Sequence, residues 1–150
     1  MKHIFWTFIL FCPSIQSKAQ NTTDSIHAVV NQLFEGMQSS DTAMIASCFS
    51  ANVVMQTIVK NKEQQNVVKT VAVADFIKSI GALKRGDANE KITILSTINH
   101  DGLAIVWASY KFYYKGQFSH CGIDSFQLVR GENGWKIQYL IDTRNKNQCD

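Results

Sequence analysis

The run LAIVWASYKFYYKGQFSHCGIDSFQLVRGENGWKIQYLIDTR, Leu103 to Arg144, decides the fold of this chain. It reads as three strands joined by two tight turns, Lys115-Gly116 and Asn133-Gly134, at strand-length spacing. Closing the first turn as a two-residue hairpin sets Tyr113 opposite Phe118, Ser109 opposite Gly122, Trp107 opposite Asp124 and Ile105 opposite Phe126. Closing the second sets Leu128 opposite Tyr139 and Phe126 opposite Ile141. A slip of one residue would send every side chain to the other face, and this register lines apolar residues up across all three strands.

Working backwards, Asn89 to Asn99 alternates, and the turn at Asp101-Gly102 sets Ile98 opposite Ile105, so a fourth strand joins the meander. Upstream, Ile26, Val29, Val30, Leu33, Phe34 and Met37 recur at helical spacing behind the cap residues Asn21 to Asp24. Asp41 caps a second helix with Met44, Ile45, Cys48 and Phe49. Val53 to Val59 and Asn66 to Val71 read as a hairpin around the polar turn Lys60 to Gln65. Val73 to Leu83 reads as a third helix, stopped by Gly81 and Gly86. The order is helix, helix, hairpin, helix, then four antiparallel strands. That is α+β, three helices segregated onto one side of a curved, mostly antiparallel sheet.

The first 19 residues read as a signal peptide: Lys2 and His3, the apolar run Ile4 to Phe11, and Ser17-Lys18-Ala19 at cleavage spacing. The apolar run is far short of the roughly 20 residues that span a bilayer, so no membrane anchor is expected. Phe11 before Cys12 is unsuited to a lipid-attachment signal. Residues 20–150 then form one domain, secreted or periplasmic. With 15 basic against 12 acidic residues in the whole chain, and Lys2 and Lys18 lost with the leader, there is no electrostatic footprint for nucleic acid or an anionic membrane. There is no Cys-x-x-Cys and the histidines are scattered, so neither a metal nor a cofactor is expected.

The element order and the segment FSHCGIDSFQLVRGENGWKI, followed by the ending QYLIDTR, resemble the nuclear transport factor 2-like (SnoaL-like) superfamily, in particular small secreted bacterial members without assigned activity. The resemblance covers the whole of residues 20–150. It implies a cone in which a bent sheet wraps the helices around an apolar pocket, and frequent dimers through the outer face of the sheet. Members include isomerases, dehydratases, hydrolases and plain carriers, and fold alone does not choose among them. Isomerase-type members set a carboxylate base beside a Tyr and a protonated acid. Here Asp124 is an inward carboxylate with no second acid that the sequence places beside it.

In the hairpin register Trp107, Ser109, His120, Asp124, Tyr139 and Thr143 share one face. An apolar wall ending in a few polar groups is what a small-molecule site requires. Asp124, desolvated beside Trp107, is the candidate general base and His120 its candidate partner, while Trp107, Ser109, Tyr139 and Thr143 are candidate ligand contacts. His120 and Asp124 lie four apart on one strand, about 13 Å at ~3.3 Å per residue, so only a ligand or water would link them, and a structural role for both is as natural. Trp135 and Ile137 read as core. The opposite face carries Tyr110, Phe112, Tyr114, Cys121, Ile123, Asp142 and Arg144, an aromatic surface suited to a second copy of the chain. Three readings follow: a carrier of a small, largely apolar ligand; a lyase or isomerase; an assembly module with a filled cone.

Cys121 and Cys149 are the one thiol pair that the register brings close, so an oxidising compartment would favour a disulfide between them, against an alternative with all three thiols free. Cys48 is expected as a buried free thiol.

Overall fold

A computed structural model describes residues 16–147 and 149, with side chains from Thr22 onward. The expected leader lies outside the described residues, except that positions 16–19 open the first helix. The elements are α1 (Gln16–Ser39), α2 (Thr42–Cys48), β1 (Phe49–Lys60), β2 (Asn66–Val71), α3 (Val73–Gly81), β3 (Ala88–His100), β4 (Leu103–Tyr114), β5 (Gln117–Gly131) and β6 (Gly134–Thr143). Every expected element is present in the expected order. The strands form one sheet in the order β2-β1-β6-β5-β4-β3, antiparallel throughout except for the parallel pair β1·β6.

The apolar stripe of α1 explains the core. Ile26, Val30, Leu33, Phe34 and Met37 are all buried and meet Ala104, Val106, Ala108, Phe126, Leu128, Trp135 and Ile137 from the sheet. Ser40, at φ 58°, ends α1, and the Asp41 carboxylate accepts the Met44 N–H at 2.9 Å to start α2. Gly36 lets the two helices touch, since a Cβ there would stand 2.8 Å from Ile45 Cγ1.

The turns carry the register, and here the sequence reading needs four corrections. Lys115-Gly116, both at positive φ, makes the expected two-residue turn and sets Tyr113 opposite Phe118. A bulge at Ser119 then shifts the pairing by one, so that Phe112 faces His120, Ala108 faces Asp124 and Trp107 faces Ser125. The second turn pairs Gly131 with Gly134, leaving Glu132 and Asn133 in the loop and Gly134 at φ 89°. Leu128 therefore faces Ile137 rather than Tyr139, and a bulge at Gln138 puts Phe126 opposite Leu140. In β3 a bulge at Leu95 separates Ile92 and Ile94 from Ile98, although Ile98 does face Ile105.

Each bulge exchanges the two faces of its strand beyond it. Along β4 the burial alternates strictly, with Ala104, Val106, Ala108 and Tyr110 inside and Leu103, Ile105 and Trp107 outside. Trp135 and Ile137, ahead of the Gln138 bulge on β6, are core as expected. Beyond it, Leu140 and Asp142 turn to the helices and Tyr139, Ile141 and Thr143 turn away.

Candidate functional site

Between α1, α3 and the helix-bearing face of the sheet lies a cavity of about 90 Å³. One water needs only ~10–15 Å³, so there is room for more than a single solvent molecule. Leu33, Phe34 and Met37 from α1, Met55 from β1, Val71 from β2, Phe76 from α3 and Leu140 from β6 give it apolar walls. Its polar end is made by Glu90, Asp124, Asp142 and Arg144.

These four come from four segments. Glu90 is on β3 at the face of Ile92, Asp124 is on β5, and Asp142 ends the inward run of β6 opposite Asp124. Arg144 follows β6; its Nε donates to Asp142 Oδ2 at 2.9 Å, with the arginine side chain 47% exposed and the aspartate 13%. Arg144 thus forms the solvent side of the cavity. Tyr110 sits opposite Gly122 and extends to β6, where its hydroxyl is 2.8 Å from the Thr143 carbonyl oxygen and 3.0 Å from Asp142 Oδ2. The single hydroxyl proton is donated to one or the other.

Asp124 is 4% exposed, and among the described residues no N–H or hydroxyl reaches its Oδ2. Its close polar neighbour is the Glu90 carboxyl. Burial, more than any other cause, raises the pKa of both acids, and the Asp142 charge raises both further. The two carboxyls also act on each other, the Glu90 charge adding to the rise at Asp124. Arg144 draws both down without offsetting the rest. The pair keeps at least one proton through neutral pH. Tyr110 is also raised, by burial first and then by the surrounding carboxylates, so it stays a neutral phenol.

The sequence-derived site divides. His120 shares the face of Asp124, but its ring lies against Tyr110 and Phe112, at centroid distances of 5.6 and 5.1 Å, and Ser119 Oγ is 3.0 Å from its Nδ1. Burial, followed by the Arg144 charge, lowers its pKa. It does not line the cavity. Trp107, Ser109, Tyr139 and Thr143 lie on the opposite face, because the bulges at Ser119 and Gln138 separate their strands' parity from that of Asp124. Trp107 is 46% exposed there, Tyr139 donates its hydroxyl to Gln56 Oε1 at 2.7 Å, and Thr143 Oγ1 accepts the Ile123 N–H at 3.1 Å.

Conversely, Phe112, Asp142 and Arg144, expected outside, lie on the helix-bearing side, and Tyr110 follows the buried parity of Ala108 on that face. The second acid that the sequence reading could not place beside Asp124 is Glu90. The available signal was its two-residue spacing from Ile92 and Ile94, ahead of the bulge.

Cys121 and Cys149 form a disulfide with Cα atoms 5.7 Å apart, and Asn145 bridges Cys121 through two backbone hydrogen bonds of 2.8 and 2.9 Å. Cys48 is free and buried, its pKa pushed up to about 11 by that burial. No described helix is long and apolar enough to cross a membrane.

No protein-family model and no curated protein matches the sequence. Solved structures do match in fold. A nuclear transport factor 2-like protein with a cystatin-like fold from Novosphingobium aromaticivorans has a TM-score of 0.70 at 11% identity, covering 89% of this chain and 88% of that one. A protein of unknown function from Mycobacterium tuberculosis has 0.67 at 12%, covering 89% and 77%. A nuclear transport factor 2-like protein of unknown function from Shewanella baltica OS155 has 0.65 at 13%, covering 89% and 99%. At such identities the likeness speaks for the fold alone. With its three helices on a curved six-stranded sheet, this chain has the nuclear transport factor 2-like, cystatin-like fold of these bacterial proteins without assigned activity.

Proposed function

We propose that this is an exported protein that binds a small, largely apolar molecule in its cone and works as a homodimer through the outer face of its sheet. The observation that carries the binding reading is the cavity itself, with apolar walls on five elements and the buried Asp124 beside the half-buried Glu90 at one end. Burying Asp124 beside a second acid opposes folding, and an assembly module with a filled core would gain nothing from the arrangement. Export is supported by the leader pattern and by the Cys121–Cys149 bridge, which suits an oxidising compartment. The test is native mass spectrometry of protein purified from its own host. A bound small molecule lost on Phe76→Trp, which fills the cavity, is the expected result. Protein that is free of ligand from every growth condition, and unchanged by that substitution, would remove the binding reading.

A second reading has its own support. An acid pair holding a proton near neutral pH, beside a neutral Tyr110, is equipped for general acid–base chemistry of the isomerase or lyase type. Asp124 is then the base or acid, and His120 acts only from behind Tyr110. Any such activity is expected to disappear in Asp124→Asn, which keeps the side-chain shape. Activity surviving that change would exclude Asp124 as the proton carrier.

A further inference from the structure

We infer that the ligand class of the cone is a small apolar primary amine, bound with its ammonium against Asp124 and Glu90 and its hydrocarbon against the helices; this rests on the binding reading above. The geometry argues from what the polar end lacks. Three carboxyl groups, Glu90, Asp124 and Asp142, face one cation, Arg144, and that cation is engaged by Asp142 at 2.9 Å. Asp124, 4% exposed, aims into the cavity an Oδ2 with no N–H or hydroxyl donor in reach among the described residues. The unmet need is therefore for donors and positive charge. An ammonium supplies three donors on one compact charge. A carboxylate ligand brings only more acceptors into an acidic site, and a neutral alcohol supplies a single donor without charge.

The walls set the other half of the ligand. Phe34, Met37, Phe76 and Leu140 bound the cavity, and its volume of about 90 Å³ limits the occupant to a short hydrocarbon. A fully hydrated polyamine gains nothing from such walls, whereas a branched alkylamine loses its apolar surface from water. Entry of the ammonium also changes the acids. A cation beside the pair favours its ionised form, so the shared proton leaves to solvent as the amine binds.

The experiment uses the disulfide-bonded protein from residue 20 onward, titrated with three near-isosteric probes: isobutylamine, isobutanol and isobutyrate. Amide and side-chain carboxyl NMR shifts report site and protonation together. The expected result is that isobutylamine binds roughly tenfold or more tightly than isobutanol, the equivalent of one charge-assisted hydrogen bond. The Asp124 and Glu90 carboxyl carbons should move to their ionised positions as it does so. Asp124→Asn and, separately, Glu90→Gln should each reduce the preference to near unity. Glu90→Gln also covers the case in which the first variant fails to fold. If isobutanol binds in the cone as well as the amine, or the amine binds without ionising the pair, the cone still binds ligands and the amine assignment is wrong. If none of the three shifts a cone residue, the assignment falls together with the binding reading.

Discussion

Gly122 and the Thr143 carbonyl oxygen occupy one space: a Cβ on residue 122 would overlap that oxygen. The same carbonyl lies 2.8 Å from the Tyr110 hydroxyl, and Tyr110 is the cross-strand partner of Gly122. A missing side chain on β5 thus lets a tyrosine of β4 bridge to β6 at the polar end of the cone.

Gly122→Ala is accordingly expected to destabilise the protein. The obstacle is backbone held by the Tyr110 hydroxyl, so relief requires moving β6 or losing that bond. Overpacking of this kind costs about 1–3 kcal/mol, and the rigid neighbour points to the upper part of that range. Denaturant unfolding measures it, and a change within about 0.5 kcal/mol would mean that β6 yields freely.

How far the sequence disclosed this arrangement depends on single residues. Element order, the Lys115-Gly116 and Asp101-Gly102 turns, the core role of Trp135 and the Cys121–Cys149 pair all follow from local pattern and turn chemistry. Which face Trp107 or Asp142 occupies does not, because one extra residue at Ser119, and another at Gln138, reverses parity without disturbing the alternation on either side. Periodicity is blind to such an insertion when both faces of a strand carry aromatics, as Trp107 and Tyr110 do. Glu90 was hidden differently: its partner Asp124 is two strands away, and only the bent sheet brings them together.

The buried acids give stability an unusual pH dependence. Glu90 ionises near pH 4.3 when unfolded but is raised to about 8 in the fold, chiefly by burial. Between those values the native state binds more protons than the unfolded one, so stability falls as pH rises and levels off above about 8. Asp124, also raised, acts in the same direction. His120, lowered by burial, acts oppositely, since its contribution is lost as pH drops through about 6.5. The clearest window is therefore about pH 6.5 to 8. Glu90→Gln should flatten the curve and raise stability at pH 8 above that of the wild type. Thermal melts across that window decide it, and a wild type that gains stability towards pH 8 contradicts the account.

The disulfide joins β5 to the tail across a separation of 28 residues. By chain entropy such a closure adds about 3–4 kcal/mol, an upper figure because β6 already restrains the ends. Without reductant, alkylation of the unfolded protein should label Cys48 alone among residues 20–150. Labelling at Cys121 or Cys149 would show the bridge unformed. Cys149→Ser should lower stability by less than the entropic figure, since the Asn145 hydrogen bonds remain.

The last prediction concerns the outer face. Ile98, 66% exposed, pairs with Ile105, and Leu103 and Trp107 continue the patch along β4. The partners of Ile105 and Trp107, Ile98 and Ser96 on β3 and Gln127 and Ser125 on β5, carry no charge. An uncharged apolar patch fits a second copy of itself, because a two-fold contact sets each patch against its own image, with Lys91 and Lys111 at one border of the patch and His100 at the other. The expected partner is thus another protomer, and the aromatic anchor is Trp107, a residue type that commonly dominates such contacts. Trp107→Lys places two ammonium groups near the two-fold axis while leaving the cone, on the other face, untouched. Analytical ultracentrifugation should give a dimer for the wild type and a monomer for this variant, with the melting temperature moving little at concentrations where both are monomeric. Two other outcomes discriminate. A monomeric wild type at hundreds of micromolar would leave the patch to a different partner. A dimer that survives Trp107→Lys but yields to a lysine on the same face at Val54, 41% exposed on β1, would move the contact to the other half of the sheet.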